Sequence, residues 1–309
     1  MAYDLVGDIH GQGDKLEGLL DHLGYRLRDG AYRHPSRTAI FVGDFIDRGP
    51  RQLDCVRIVR RMVDAGSALA IMGNHEFNAI AWHTPDPDRP GEYLRPHGGD
   101  IGVKNRHQHE AFLAAVEHDP GLHQELIDWF MTLPLWLDLP GLKVVHACWH
   151  EDHMRSLAPG LTSAQQLLPE TVIASSRRGS PEYLSAEVLT KGIEIPLPNG
   201  HAFHDKDGHR RENVRIRWWN DSANTYRDLA LLPDETRERL PDVTVPSGIQ
   251  PSQRDTRPIF FGHYWMKGRP APQSLLAACV DYSAGMDGDL VAYRWDGEPL
   301  SAAQFAWAS

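Results

Sequence analysis

Cysteine is scarce in this chain of 309 residues. There are three, Cys55, Cys148 and Cys279, and no two of them form a CxxC pair. A small, odd and widely spaced set argues against a disulfide framework and against a thiolate metal site. It is typical of proteins from a reducing compartment, so we expect a cytoplasmic protein.

Long apolar runs are also missing. No stretch of about 18 apolar residues occurs, which is the length needed to span a bilayer. The N-terminal sequence MAYDLVGDIHG has no basic segment followed by an apolar one, as a signal peptide requires. We therefore expect no membrane partner and no export.

Positive charge is in deficit. The chain has 32 Lys and Arg against 42 Asp and Glu, a formal net charge of -10. Proteins that bind nucleic-acid polymers usually carry a basic face, so we expect no such partner and disfavour a nuclease. A small phosphorylated substrate remains compatible, because a buried metal site attracts phosphate locally.

Apolar runs alternate with helical patterns along the first quarter of the chain. We predict strands at 3–6, 39–42 and 68–72 and helices at 15–23 and 53–63, an alternation that indicates parallel strands. Further strands are predicted at 142–145, 258–262, 277–281 and 290–295, and a broken helix at 110–133. We expect a long loop at 84–102.

The pattern weakens between residues 151 and 257, where Pro, Gly and charged residues dominate. Only a helix at 164–168 and a strand-like stretch at 214–219 are predicted there. We interpret 1–309 as a single domain, with 151–257 as an insertion or cap within it.

Residues able to bind metal follow five of the predicted strands. They are Asp8 and His10, then Asp44, Asn74, His146 and His263. Ligands of open α/β sheets bind beyond the carboxyl ends of the strands, so these side chains are expected to converge. Asp8, His10 and Asp44 suit one ion, and Asp44, Asn74, His146 and His263 suit a second.

Mixed nitrogen and oxygen ligands favour first-row metals: we expect two divalent ions, with manganese preferred and iron, zinc or cobalt as alternatives. Two neighbouring ions clamp both oxygens of an in-line phosphoryl transfer and lower the pKa of a bound water. The predicted nucleophile is a hydroxide that bridges the two ions. No serine or cysteine nucleophile is required.

Three further residues are predicted to act on the substrate. His75 is the candidate general acid, and Asp47 is expected to orient its ring. Arg48 would bind phosphoryl oxygens through its planar fork of donors, with Asn74 beside it. A second arginine is expected from the run Arg210, Arg211, Arg215 and Arg217, of which we select Arg217 although the sequence does not distinguish them.

The order GDIHG, GDFIDRG, GNHE and two separated histidines resembles the phosphoprotein phosphatase branch of the calcineurin-like metallophosphoesterases. The resemblance implies an α/β fold, a four-layer α-β-β-α sandwich of two mixed sheets flanked by helices. It also implies a dinuclear metal site. The roles of the family's residues that this resemblance implies agree with those given above for the matching positions. Cys148 and Trp149 in HACWH depart from the small residues usual there.

The last quarter, with FGHYW, VDYSAG and GDLVAYRW, is similar to bacterial symmetric diadenosine-tetraphosphate hydrolases. Asp47 and Glu76 favour the phosphatase branch instead. The leading prediction is therefore a phosphomonoesterase of the serine/threonine phosphoprotein phosphatase type. Hydrolysis of diadenosine tetraphosphate or another nucleoside polyphosphate is the alternative, and a non-catalytic scaffold of the same fold is a third.

Overall fold

The computed structural model describes residues 2–198, 200–204, 208–251 and 255–308. Its strands are, in chain order, β1 (Ala2–Val6), β2 (Arg26–Arg28), β3 (Ala31–Arg33), β4 (Arg37–Phe41), β5 (Ala68–Ala70), β6 (Trp136–Asp138), β7 (Lys143–Val145), β8 (Glu194–Pro196), β9 (Phe203–His204), β10 (Arg210–Arg211), β11 (Asn213–Arg215), β12 (Ile259–Phe261), β13 (Ala277–Cys279), β14 (Val291–Trp295) and β15 (Phe305–Trp307).

The α-helices are α1 (Gly13–Leu23), α2 (Gln52–Asp64), α3 (Asn74–His83), α4 (Gly99–Gln108), α5 (Glu110–Val116), α6 (Pro120–Met131), α7 (Glu151–Leu157), α8 (Pro169–Ser175), α9 (Pro181–Lys191), α10 (Tyr226–Leu229) and α11 (Asp234–Arg237). Short 3₁₀ helices cover Ala158–Gly160 and Ala302–Gln304. No helix in the described part of the chain combines the length and apolar character needed to cross a membrane.

Two mixed sheets form the centre of the molecule. The first has the order β15-β14-β1-β4-β5, with β1 parallel to β4 and antiparallel to β14. The second has the order β13-β12-β7-β6, with β12 parallel to both β13 and β7 and β6 antiparallel to β7. Both sheets therefore combine parallel crossovers with antiparallel edge strands.

Successive side chains along a central strand are buried in two different apolar layers. In β1, Leu5 joins the apolar cluster between the two sheets, whereas Val6 joins the cluster under the outer helices. Val144 and Phe260 of the second sheet face Leu5 across the first of these clusters. Successive side chains of a strand point to opposite faces, so each sheet buries both faces. The predicted four-layer α/β sandwich is confirmed.

The seven strands predicted outside residues 151–257 are present with ends that differ by at most two residues, and the predicted helices of the first quarter are present as α1 and α2. In α1, leucines at helical spacing are buried, and Gly24 closes the helix in the left-handed conformation at φ 94°. The helix predicted at 110–133 is broken, as expected, between α5 and α6.

The predicted helix at 164–168 is wrong. Gln165 has a left-handed φ of 61°, and its carbonyl accepts a hydrogen bond from the Leu135 amide at 3.0 Å. This carbonyl therefore bonds to a distant part of the chain and not within a helix. Three helices that were not predicted, α7, α8 and α9, occupy this part of the chain. Pro169 and Pro181 open α8 and α9, where the missing amide hydrogen costs nothing.

Two other predicted segments are shorter than expected. The loop predicted at 84–102 ends early, because α4 begins at Gly99. Of the strand-like stretch predicted at 214–219, only the part that belongs to β11 is a strand. The edge strands β6 and β15 were not predicted. Each has only one buried residue of three, whereas the equally short β7, β12 and β13 are buried throughout and lie in apolar runs.

Candidate metal and substrate site

The structure brings all six predicted metal-binding residues together. Each lies just beyond a strand, with the first sheet supplying the loops after β1, β4 and β5 and the second those after β7 and β12. All six are buried, at 9% exposure or less: Asp8, His10, Asp44, Asn74, His146 and His263. The site therefore lies where the edges of the two sheets meet.

Asp44 is at the centre of this group. Its Oδ2 lies 3.7 Å from His10 Nε2, 3.4 Å from His146 Nε2 and 3.9 Å from His75 Nε2. Its Oδ1 accepts the backbone N–H of His75 at 2.9 Å. Donor atoms fall into two groups, each within 4.8 Å, that share Asp44: His10, Asp44 and His75, and Asp44, His146 and His263. A carboxylate with two oxygens can serve both groups.

Two buried polar atoms of the site have no hydrogen-bond partner among the described residues, namely Asp8 Oδ1 and His10 Nε2. The other oxygen of Asp8 accepts the backbone N–H of His263 at 3.0 Å. Unpaired buried polar atoms are costly and rare, so they need a partner. A carboxylate oxygen and an imidazole nitrogen are donors that first-row metals take, so the residues present fit a metal ion.

Backbone carbonyls orient two of the histidine rings. His10 Nδ1 lies 3.0 Å from the carbonyl of Ile46, and His146 Nδ1 lies 2.7 Å from that of Val42. A carbonyl only accepts, so each Nδ1 donates its proton. The Nε2 of His10 is then left with a lone pair toward the site, whereas at His146 burial is outweighed by the carboxylate of Asp44, which raises the pKa of that imidazole to about 10. Such bonds fix the tautomer of a metal-binding histidine.

Burial and neighbouring charge keep two imidazoles neutral. Burial and the nearby His75 lower the pKa of His10 to about 3. Burial and the Arg215 guanidinium hold the pKa of His263 well below its ordinary value. The neutral imidazole is the form that binds a metal, so both rings are prepared for ligation.

The carboxylates experience opposing effects. Burial, with the nearby Asp281, raises the pKa of Asp8, and burial raises the pKa of Asp281 to about 6. At Asp44 burial is outweighed by the imidazoles of His146 and His75, which lower its pKa. Several buried acids this close together repel one another, and a bound cation removes that repulsion.

Backbone strain is concentrated in the same loops. His10, Asp44 and His263 have φ values of 49°, 53° and 71° although none of them is glycine. Gly262 passes so close to Asp8 that an added Cβ would lie 2.0 Å from its Oδ1. Strained non-glycine residues are retained where the surroundings impose them, which is common at functional sites.

His75 and a second histidine hold the two oxygens of Asp47. His75 Nδ1 lies 2.5 Å from Asp47 Oδ2, and His109 Nδ1 lies 2.8 Å from Asp47 Oδ1. Burial alone would lower the pKa of His75, but the carboxylates of Asp44 and Asp47 raise it. His109 was not predicted: it follows no strand, and it is one of 17 histidines.

The Glu76 carboxylate binds the backbone of the loops that follow β4 and β5. It accepts the backbone N–H groups of Asp44 at 2.8 Å, Phe45 at 2.8 Å and Gly73 at 3.0 Å. The bond to Gly73 caps α3, since Glu three residues after the first cap position reaches back to that amide. Burial and the charge of Asp44 raise the pKa of Glu76 to about 7.

The predicted arginines separate into two groups. The Arg48 guanidinium lies 4.1 Å from the ring centroid of Trp265, and Arg215 Nη1 lies 3.2 Å from His263 Nε2. Arg217 instead donates to the carbonyl of Asp228, and it is not among the residues that line the site. The placement expected of Arg217 is therefore corrected to Arg215, two residues earlier.

A cleft of about 820 Å³ opens in front of these groups. Four cationic side chains line it, namely Arg48, Arg95, Lys191 and Arg215. Asn74, His75 and His263 border the same space, as does Trp265, whose side chain is 39% exposed. We call this space the substrate cleft.

Residues 1–154 match the family of calcineurin-like phosphoesterases. The chain belongs to this family. Five of the six candidate metal-binding residues, including His146, lie within the matched segment. The sixth, His263, lies beyond it.

Two relatives of this phosphoesterase carry related names. The chain is 42% identical over 148 residues to bis(5'-nucleosyl)-tetraphosphatase PrpE [asymmetrical] of Oceanobacillus iheyensis, a match that covers 48% of the chain and 55% of the relative. The chain thus spans about half the length of that protein. It is 26% identical over 306 residues to the symmetrical bis(5'-nucleosyl)-tetraphosphatase of Actinobacillus succinogenes, covering 96% of the chain and 94% of the relative.

Among solved structures, the phosphoesterase is similar to the cold-active protein-tyrosine phosphatase of a psychrophilic Shewanella species. The TM-score is 0.50 at 15% sequence identity, over 100% of this chain and 80% of that one. At this identity the likeness concerns the fold alone.

Proposed function

We propose that this phosphoesterase hydrolyses a nucleoside polyphosphate of the bis(5'-nucleosyl) tetraphosphate type. The observation that carries the proposal is the set of four cations in one cleft beside the buried metal-binding residues. The names of the two relatives support the same substrate class. Of the two substrates expected from the sequence, the nucleotide is thus favoured over the phosphomonoester.

The cleft has more basic than acidic side chains: four of its lining residues are cationic and one, Glu110, is acidic. Within the described ranges, Arg48 and Arg95 form no ion pair with a carboxylate, whereas Arg215 and Lys191 pair with Glu194 and Glu187. Each phosphate of a polyphosphate chain carries negative charge that guanidinium groups bind well. A substrate with several phosphates would engage these cations along its length.

We assign two divalent ions to the buried residues. One set is Asp8, His10 and Asp44, and the other is Asp44, Asn74, His146 and His263. When bound, such ions lower the pKa of water toward neutrality and neutralise phosphoryl oxygens. A donor set of nitrogen and oxygen without a thiolate suits manganese, iron, zinc or cobalt, and of these we propose manganese.

The protein's own groups complete the proposed chemistry. His75, protonated through the carboxylates of Asp44 and Asp47, would donate a proton from Nε2 to the departing oxygen. Asp47 fixes the opposite ring nitrogen. Arg48, held against Trp265, would bind oxygens of the phosphoryl group that is transferred.

A phosphomonoesterase, the leading prediction from the sequence, is retained as a second candidate on the basis of the His75–Asp47 pair. A nucleoside diphosphate leaves readily as an anion, whereas the alkoxide of a phosphoserine needs a proton. An imidazole whose raised pKa keeps it charged is therefore most useful for the poorer leaving group.

The test is hydrolysis of diadenosine tetraphosphate and of a phosphoserine peptide by the manganese-loaded protein, with separation of the nucleotides released. We expect the dinucleotide to be preferred. ADP as sole nucleotide product indicates symmetrical cleavage, and ATP with AMP indicates asymmetrical cleavage. Preference for the peptide would replace the proposal with the second candidate.

A matched pair of variants tests the role of the cleft cations. Arg95→Gln should lower kcat/KM for diadenosine tetraphosphate about tenfold, the effect of losing one hydrogen bond between charged groups. Arg106→Gln, which changes an exposed arginine outside the cleft, should leave it unchanged. Equal effects of the two variants would argue against a phosphate-binding role for the cleft.

A further inference from the structure

A second cavity of about 470 Å³ adjoins the substrate cleft and shares Asn78, Arg95 and Lys191 with it. We call it the side pocket. Its walls combine apolar, aromatic and polar groups, notably Phe77, Leu94, Ser175 and Tyr183. The two spaces are therefore adjacent, with the cationic Arg95 and Lys191 at their common border.

We propose that the side pocket binds one nucleoside of a nucleoside polyphosphate. The inference rests on the proposed function, and it specifies where that substrate is recognised. The phosphates would run from Arg95 and Lys191 toward Arg48, and the base and ribose would lie between α3, α8 and α9.

Unsatisfied polar atoms point to a ligand in this pocket. Ser175 is 2% exposed, and its Oγ has no hydrogen-bond partner in the parts of the chain that the structure describes. The Nε of Arg95 is likewise buried without a partner among those residues. A buried hydroxyl without a partner costs free energy, and the polar edge of a base or a ribose hydroxyl would satisfy it.

Apolar and aromatic parts of the wall fit a flat ring, whereas Arg89, Arg177 and Glu187 make another part of the wall charged. Phe77 and Leu94 are buried, and the half-buried Tyr183 offers an aromatic face on which a base can stack. Most small-molecule sites are apolar with a few placed polar groups, and a cavity of this size is within their usual range. Stacking is tolerant of sequence because every base has a π-face.

The side pocket also gives a role to the segment proposed as an insertion or cap. Ser175 ends α8 and Tyr183 belongs to α9, and both helices lie within 151–257. The segment would then recognise the nucleoside while the sheet edges perform the hydrolysis. Relatives that keep the metal-binding residues but differ in this segment would select other substrates.

Steady-state kinetics with diadenosine tetraphosphate tests the proposal, with inorganic tripolyphosphate as a competitive inhibitor that has no nucleoside. Tyr183→Ala should raise KM for the dinucleotide at least about fivefold, the loss of one stacking contact, with the inhibition constant unchanged. Tyr183→Phe keeps the ring and should restore KM. Leu184→Ala, at the next residue of α9 and 56% exposed, is the matched control and should change neither.

Several results would overturn the inference. An unchanged KM in Tyr183→Ala contradicts the side pocket alone, provided that the wild type cleaves the dinucleotide. If KM and the inhibition constant rise equally, the substitution weakens the binding of phosphates and not of the nucleoside. That result also contradicts the side pocket. A wild type that does not cleave the dinucleotide refutes the proposed function and the side pocket together.

A second variant covers the case in which Tyr183→Ala does not fold. Ile101 lines the same pocket and is 67% exposed, so Ile101→Glu should fold. Its longer, charged side chain would intrude on the space proposed for the nucleoside, so it should again raise KM for the dinucleotide and leave the inhibition constant of tripolyphosphate unchanged. An unchanged KM would count against the side pocket.

Discussion

Asp47 has both of its oxygens occupied by imidazoles, and this explains how His75 is held. His75 Nδ1 and His109 Nδ1 bind different oxygens of the same buried carboxylate. Asp47 has no freedom to rotate between them, so the His75 ring keeps its Nε2 on the side of Asp44. His109 therefore acts on the site only through Asp47, as a positioning residue.

The His75→Asn substitution should separate metal binding from proton transfer. We expect the variant to keep its metal content, since none of the proposed ligands is removed, and to lose about 10²–10⁴-fold in turnover. The loss should be larger for an alkyl phosphate than for 4-nitrophenyl phosphate, whose leaving group needs no proton. Metal analysis and kinetics with both esters make the measurement.

His118→Asn is the control for that experiment, because His118 is 91% exposed and distant in sequence from the site loops. It should match the wild type with both esters. If His75→Asn slows the alkyl and nitrophenyl esters by the same factor, His75 does not donate the proton.

At the level of residues, the sequence predicted those side chains whose position depends on a strand end. The loops after β1, β4, β5, β7 and β12 each supplied a residue that the structure brings into the site. Arg215 and His109 depend instead on contacts across the chain. His109 contacts Asp47 from 62 positions away in the sequence, and no local pattern encodes that distance.

Among the helices and strands, too, some were predicted from local sequence and others depend on contacts across the chain. The central strands were predicted because each contains or adjoins a short apolar run, as is typical of strands buried on both faces. The helices α7, α8 and α9 were missed because prolines and charges mask their apolar positions, although proline at the first position of a helix is favourable. Their packing against one another, and not their local sequence, defines this region.

The packing of α5 against α6 contains a pH-sensitive contact. His123 of α6 lies against Phe112 of α5, with ring centroids 5.7 Å apart, and its Nε2 has no partner among the residues described. Burial and the nearby His83 lower the pKa of His123 to about 4. The folded protein therefore binds this proton more weakly than the unfolded chain does.

Stability should consequently fall as pH decreases from the ordinary histidine value near 6.5 toward 4, and His123 adds no further loss below that. His123→Gln should remove about 1 kcal/mol of the loss between pH 7 and 5, a figure reduced for the half-exposed ring. Urea unfolding at both pH values tests this. The same change at the exposed His118 should leave the pH dependence as in the wild type, and an unaltered dependence in His123→Gln would refute the assignment.

For the whole molecule, the site couples the two sheets through buried charge. Asp8 and Asp44 follow strands of the first sheet, whereas His146 and His263 follow strands of the second. With no cation, the repulsion among Asp8, Asp44 and the neighbouring Asp281 opposes this union. A metal that binds only the folded chain stabilises it by mass action, about 2.7 kcal/mol at a hundredfold excess over Kd.

Manganese should therefore raise the thermal unfolding midpoint of the wild type by about 5 °C, and a chelator should reverse the rise. Asp44→Asn removes the carboxylate shared by both donor groups, so it should abolish the rise along with metal binding and activity. Asp64→Asn, at an exposed acid of α2, should retain the full response. A manganese shift that persists in Asp44→Asn would mean that the ion binds elsewhere, and the union of the two sheets would then depend on their apolar core alone.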